Sequence, residues 1–298
     1  MKRLYASLCT ALIMVSAHAN PPTPAQIGPQ PTPAYPEQTA DYVWDIPYNN
    51  QDYRVFVKVI GKAPATGYPV MYLLDGNALF DSFSQQRATL PTSPMILVAV
   101  GYPISDKFDF TRRAWDYTPP QEDGSPDPDP LKPERNGGGA EQFYDWLSQT
   151  LKPRIATQWQ VNPQRQAIYG HSYGALFALH TLLRHTDAFT DWIIVSPALW
   201  RSGPQIEQGL TQFAATAHHH RSRVLLLSGA NEQTGREAVP ERAALAAKAP
   251  TFAAIQTQLR AQPDVMLTTE LIHGKNHGAM IDTGLIRGLS WFEERHDQ

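Results

Sequence analysis

Cysteine is almost absent from this 298-residue chain: the one copy, Cys9, lies in an apolar segment near the N-terminus. A single thiol forms no internal disulfide, and beyond residue 9 there is no cysteine ligand for a zinc or iron–sulfur site. A lipidated cysteine needs a small residue before it, and Leu8 is not small. Long apolar runs are missing as well. The stretch from Leu8 to Val15 is too short to cross a bilayer and no later stretch is long enough, so no membrane anchor is expected. Charge of one sign is not in excess, since 25 Lys and Arg against 28 Asp and Glu give a formal net charge of −3. That balance disfavours nucleic acid or a membrane surface as a general partner. Metal-ligand spacing is absent too. His218, His219 and His220 are consecutive, and consecutive residues on a helix end point in different directions, so they read as a solvated terminus. No metal, no other cofactor and no internal repeat are expected.

What is present begins with an export signal. Lys2 and Arg3 form a basic start, the apolar stretch follows, and Ala17-His18-Ala19 places small residues where a signal peptidase reads. Residues 1–19 are therefore expected to be a signal peptide cleaved before Asn20. Residues 20–40, rich in Pro, Thr and Gln, read as a flexible leader. Residues 41–298 suit one domain.

Within that domain, residues 51–60 alternate as a half-buried strand does. The runs YPVMYLLD (68–75) and MILVAVGY (95–102) are apolar throughout, as expected of strands buried on both faces. Residues 103–139 hold many Pro, Asp and Gly without periodicity and read as one long loop, a kind of segment that usually carries function. A helical pattern starts near Ala140. Strands at 166–172, 191–197, 224–229 and 265–272 then alternate with helices, the last of which ends near Arg295. This order predicts an α/β domain with a mostly parallel central sheet and helices on both faces.

Gly170-His171-Ser172-Tyr173-Gly174 falls between a strand and a helix, where a nucleophile elbow sits in such a sheet. A Gly-x-Ser-x-Gly string alone is weak; its setting makes Ser172 the candidate nucleophile. A serine hydroxyl needs a base in reach, and the fold's chain order is Ser, acid, His. Two histidines follow the last strand. His277, beside Gly278 at the end of the loop, is the preferred base, and His273 is the alternative. The acid should follow the preceding strand, which points to Glu232; Asn231, or no acid at all, would leave a Ser–His pair. The N–H of Tyr173 is the expected first oxyanion donor. Gly76, in the loop after strand 69–74, is the expected second, because a glycine lets its backbone approach the substrate oxygen. Asp75 reads as a brace for that turn.

The segments GHSYGALFALHTL (170–182), SPALW (196–200), YLLDGN (72–77) and GYPI…RRAWDYTPP (101–120) occur together. In this combination the chain resembles the branch of the α/β-hydrolases that contains the ferric-enterobactin esterases, from about residue 40 onward. The resemblance implies the α/β-hydrolase fold, Ser172 as nucleophile, His277 as base, and Gly76 and Tyr173 as oxyanion donors. Some relatives work with a Ser–His pair, which leaves the role of Glu232 open. It also implies a small-molecule substrate, the trilactone of a catecholate siderophore in free or iron-loaded form. With the export signal, the chain is similar to the smaller periplasmic members. A ferric tris-catecholate is a compact trianion, so positive charge and aromatic faces are expected at the rim. Arg112 and Arg113, with Trp200, are the candidate substrate-binding residues. The family also holds broad carboxylic-ester hydrolases, and a non-catalytic siderophore-binding protein is a third reading that an intact Ser and His disfavour.

Overall fold

Tyr68–Leu74 is apolar at every position, and the strand it forms, β3, is buried along its whole length. Its neighbour β4 (Met95–Gly101) is buried at every position too. The structure, a computed structural model, describes residues 39–294 apart from 50, 130, 131, 133, 202, 217–220, 233–243 and 246. The expected signal peptide, all but the end of the expected leader, and His218 to His220 lie outside the described residues.

Side chains along β3 divide by the two-residue period of a strand. Val70, Tyr72 and Leu74 enter one apolar layer, and Met71 and Leu73 enter the other. The first layer is closed by α3 (Ala140–Trp146), α4 (Lys152–Gln158), α5 (Tyr173–Arg184), α6 (Gly203–Ala215) and α7 (Phe252–Arg260). The second is closed by α1 (Gly76–Ser84) and α8 (Met280–Glu293). Burial on both faces is why these strands read as unbroken apolar runs.

Eight strands make the sheet, in the order β1-β2-β4-β3-β7-β8-β9-β10. Strands β1 (Tyr42–Tyr48) and β2 (Gln51–Ile60) pair antiparallel, and β2 pairs antiparallel with β4. From β4 onward every pairing is parallel, through β7 (Val161–His171), β8 (Asp191–Val195), β9 (Ser222–Gly229) and β10 (Val265–Ile272). The expected α/β-hydrolase architecture is the one observed. The loops after β3, β7, β8, β9 and β10 all leave the carboxyl end of the sheet, where open α/β sheets bind ligands.

Residues 103–139 are more regular than their composition implied. They contain helix α2 (Phe110–Tyr117) and a two-stranded ribbon, β5 (Asp127–Pro128) with β6 (Asn136–Gly137). The Asp109 side chain caps α2 by accepting from the N–H groups of Thr111 and Arg112. Two turns are too few for periodicity to show, and the helix is held mainly by long-range partners, chiefly Arg113 to Asp75.

Candidate active site

Ser172 joins β7 to α5 at φ 60° and ψ −113°. That region is unfavourable for a residue with a side chain and costs about 1–3 kcal/mol. The surrounding backbone holds it there. Its N–H donates to the carbonyl of Val195, and its own carbonyl accepts from the N–H groups of Leu176 and Ala198. The flanking glycines keep the crossing open, Gly170 by strict necessity and Gly174 by relieving a tight contact. A Cβ on Gly170 would collide with the carbonyl of Gly174, and one on Gly174 would press on the Leu74 side chain at 3.3 Å. Strand and helix can therefore cross closely enough to present Ser172 at the sheet edge.

His277 lies in the loop between β10 and α8, and Glu232 follows β9. The His277 Nδ1 and Glu232 Oε2 are 3.1 Å apart. Glu232 is itself fixed, because Oε1 accepts from the Ser196 hydroxyl at 2.5 Å and the Gly229 N–H at 2.6 Å. Burial alone would raise its pKa. The hydrogen bonds from His277, Ser196 and the Gly229 amide together outweigh burial and hold it below the ordinary carboxylate value. The loops that carry the pair are tied together, since the Asn231 N–H donates to the Lys275 carbonyl at 3.0 Å. A Cβ at Gly229 would strike the same carbonyl.

Ser172, Glu232 and His277 line one cavity of about 450 Å³, with Phe108, Phe110 and Arg113 among the other walls. His273 is exposed and does not reach it. Asn231 lines the cavity, but the side chain on His277 Nδ1 is that of Glu232. Two supporting residues were not identified in the sequence. Ser196, at φ 52°, donates to Glu232; its signal in the sequence is the Ser-Pro pair directly after β8. His171 Nε2 lies 3.0 Å from the His277 carbonyl, and a carbonyl only accepts, so this contact requires the proton on Nε2. The two rings are 4.6 Å apart.

Tyr173 opens α5 directly after Ser172, with its side chain buried and its hydroxyl donating to Asp129. Gly76 opens α1 beside the elbow, since β3 and β7 are neighbours. Packing gives a further need for glycine there. A Cβ would come within 2.9 Å of the Ala99 and Val100 backbone, so the packing of α1 on β4 demands it. Asp75, in the left-handed region at φ 60°, braces this turn by pairing with Arg113.

The expected arginine rim needs correction. Both arginines are on α2, not in a loop. Arg112 packs over the rings of Tyr53 and Tyr102 and donates to the Asp52 carbonyl, away from the cavity. Arg113 does line the cavity, but it is buried and bound through two hydrogen bonds, 2.8 and 2.7 Å, to the carboxylate of Asp75. Burial opposes its charge and Asp75 more than restores it. Trp200 lies elsewhere as well. It lines a separate cavity of about 320 Å³ with Gln121, Arg201 and Lys248, and its ring sits 6.0 Å from that of Tyr173.

The sequence and the fold have counterparts. The chain is 36% identical over 152 residues to the apo-salmochelin esterase of Escherichia coli, covering 50% of this chain and 48% of that one. It is 32% identical over 192 residues to the ferri-bacillibactin esterase BesA of Bacillus subtilis, covering 61% and 66%. The matches thus span less than two thirds of either relative's length. Among solved structures, the BES protein from Bacillus cereus superposes with a TM-score of 0.67 at 25% identity, covering 84% of this chain and 93% of the other. Residues 47–266, most of the chain, match the family model described as Putative esterase, and the chain belongs to that family.

Proposed function

We propose that this protein is a serine esterase that opens the ester bonds of a catecholate siderophore trilactone, such as enterobactin, in its free or iron-loaded form. The observation that carries the reading is the Glu232–His277 contact, in the cavity that Ser172 enters from a strained elbow. The relatives' names, salmochelin and bacillibactin esterases, supply the substrate class.

In this mechanism the Ser172 oxygen attacks the ester carbonyl carbon while its proton passes to His277 Nε2. The Nδ1–H of His277 then points at Glu232, whose negative charge favours the imidazolium. The negative oxygen of the tetrahedral intermediate is held by the N–H groups of Tyr173 and Gly76. On collapse the C–O bond to the leaving alkoxide breaks, and the alkoxide takes the proton from His277. In a lactone that alkoxide stays on the same molecule, so the first cleavage opens the ring. Water, deprotonated by His277, then releases the acyl group from Ser172.

The substrate reading is tested by product analysis on enterobactin, its ferric complex and a short p-nitrophenyl ester. Cleavage of the trilactone with higher kcat/KM than the short ester is expected. Cleavage of the short ester alone would leave a broad carboxylic-ester hydrolase. The N-terminal residues support an exported, periplasmic protein. Protein recovered from the periplasm should begin at Asn20, and an unprocessed cytosolic product would sink that assignment.

A further inference from the structure

Phe110 is the first residue of α2 and leaves 51% of its surface exposed. One exposed aromatic is ordinary on a protein surface. This one borders the cavity of Ser172, and it belongs to a ladder in which cations and rings alternate. The Arg135 guanidinium stands 5.0 Å from the Phe110 ring centroid. Phe110 and Phe108 are 5.6 Å apart, inclined at 36°. Arg113 follows, 5.3 Å from Phe108 and 5.1 Å from the ring of Tyr173, the residue after the nucleophile. The ladder runs from Arg135 through Phe110 and Phe108, on the cavity wall, to Arg113 and the ring of Tyr173.

Its two cations differ. Asp75 neutralises Arg113 at the inner end. At the outer end no carboxylate pairs with Arg135 among the described residues, and its guanidinium lies against the Phe110 ring. The platform between them is rigid. Asp109 caps α2 one residue before Phe110, and Arg112 is packed on Tyr53 and Tyr102 two residues after it.

We propose that Phe108, Phe110 and Arg135 form an aryl subsite at the cavity mouth, taking an aromatic arm with negative charge on its ring substituents. This deepens the proposed function and rests on it. A ring stacks on Phe108 and Phe110, and its anionic oxygens face the Arg135 guanidinium, a planar and weakly hydrated cation suited to delocalised anions. The subsite chooses the substrate and leaves the bond-breaking step to Ser172 and His277. A purely aliphatic acyl chain gains nothing from Arg135, and a non-aromatic anion gains nothing from the rings. The positive rim expected from the sequence at 112 and 113 is thereby assigned to residue 135.

The test uses the full mature protein, with Phe110→Ala, Phe110→Tyr, Arg135→Gln and Arg135→Lys. Kinetics are measured on the catecholate trilactone, on the same trilactone with methylated catechols, and on a short p-nitrophenyl ester. Phe110→Ala should raise KM roughly tenfold on both trilactones, with kcat little changed. Phe110→Tyr should restore it. Arg135→Gln should raise KM roughly tenfold on the charged trilactone only, with a loss that shrinks as salt rises, and Arg135→Lys should recover part of it. The short ester should not register either Arg135 variant, and any change Phe110→Ala causes on it should be far smaller than on the trilactones, because Phe110 lines the cavity. Equal changes on the short ester, or none on the trilactones, would overturn the subsite. Calorimetric binding of a single dihydroxybenzoyl-serine arm separates this outcome from failure of the hydrolytic reading. If wild type leaves the trilactone intact, that reading fails. If wild type does not bind the arm, or Phe110→Ala and Arg135→Gln bind it as well as wild type, the subsite fails.

Discussion

Ser172→Ala is expected to lower kcat for ester cleavage by on the order of 10⁵- to 10⁶-fold, leaving only what the oxyanion donors and binding supply. The fold should survive, because the elbow's hydrogen bonds run through the Ser172 backbone. Alanine at φ 60° is no more strained than serine. His277→Ala should fall to a similar level, and His273→Ala, exposed and off the cavity, should stay near wild type. Glu232→Gln should lose roughly 10³- to 10⁴-fold, since an amide keeps the shape but cannot fix the imidazole tautomer or offset its charge. This variant also has a signature in stability. The folded protein holds the Glu232 pKa below its unfolded value, so the carboxylate's contribution is complete above the ordinary carboxylate pKa. It is lost as pH falls through the lowered folded value. The melting-temperature gap between wild type and Glu232→Gln should therefore be widest near neutrality and close in acid. Single-turnover kinetics and melts across pH check the series. Near-wild-type turnover in Ser172→Ala would remove it as the nucleophile.

The parts of the site that could be read from the chain are those that local geometry dictates. A serine at positive φ between a strand and a helix needs small neighbours on both sides, so Gly170 and Gly174 mark it. The order Ser172, Glu232, His277 follows from a sheet whose loops all emerge at one end. What stayed hidden depended on partners distant in sequence. Whether Glu232 or Asn231 meets His277 turns on how two loops pack, with Asn231 bonded to Lys275 and Glu232 turned inward by Ser196 and Gly229. Helix α2 spans two turns and takes its stability from tertiary contacts, so propensity and periodicity had little to register. In the sequence Arg113 is a candidate rim charge, because nothing adjacent reveals that Asp75, 38 positions earlier, takes it. Arg135 lay in a stretch of Pro, Asp and Gly, and only the fold brings it over Phe110.

That Asp75–Arg113 pair leads to the largest expected loss of stability. Both side chains are nearly inaccessible, at 4% and 7% exposure, and each is the other's countercharge. Removing one partner strands a buried charge, which typically costs about 3–5 kcal/mol, a large part of a domain's total stability. Arg113→Met and Asp75→Asn should each lower the unfolding free energy by an amount of that order. The double variant should recover part of the loss, because no unpaired ion remains. Asp75 also precedes Gly76, donates its N–H to the Tyr117 hydroxyl, and lies 3.6 Å from where a Cβ on Gly174 would stand. Loosening it therefore disturbs one proposed oxyanion donor and the floor of the elbow together. Activity in Arg113→Met should consequently fall by a similar factor on the charged trilactone and on a short neutral ester, with little dependence on salt. An arginine that acted as a screened recognition charge would instead spare the neutral ester and respond to salt. Kinetics on the two substrates at low and high ionic strength, with urea denaturation of the same samples, separate the two roles. A selective, salt-sensitive loss at unchanged stability would return Arg113 to the substrate-binding rim.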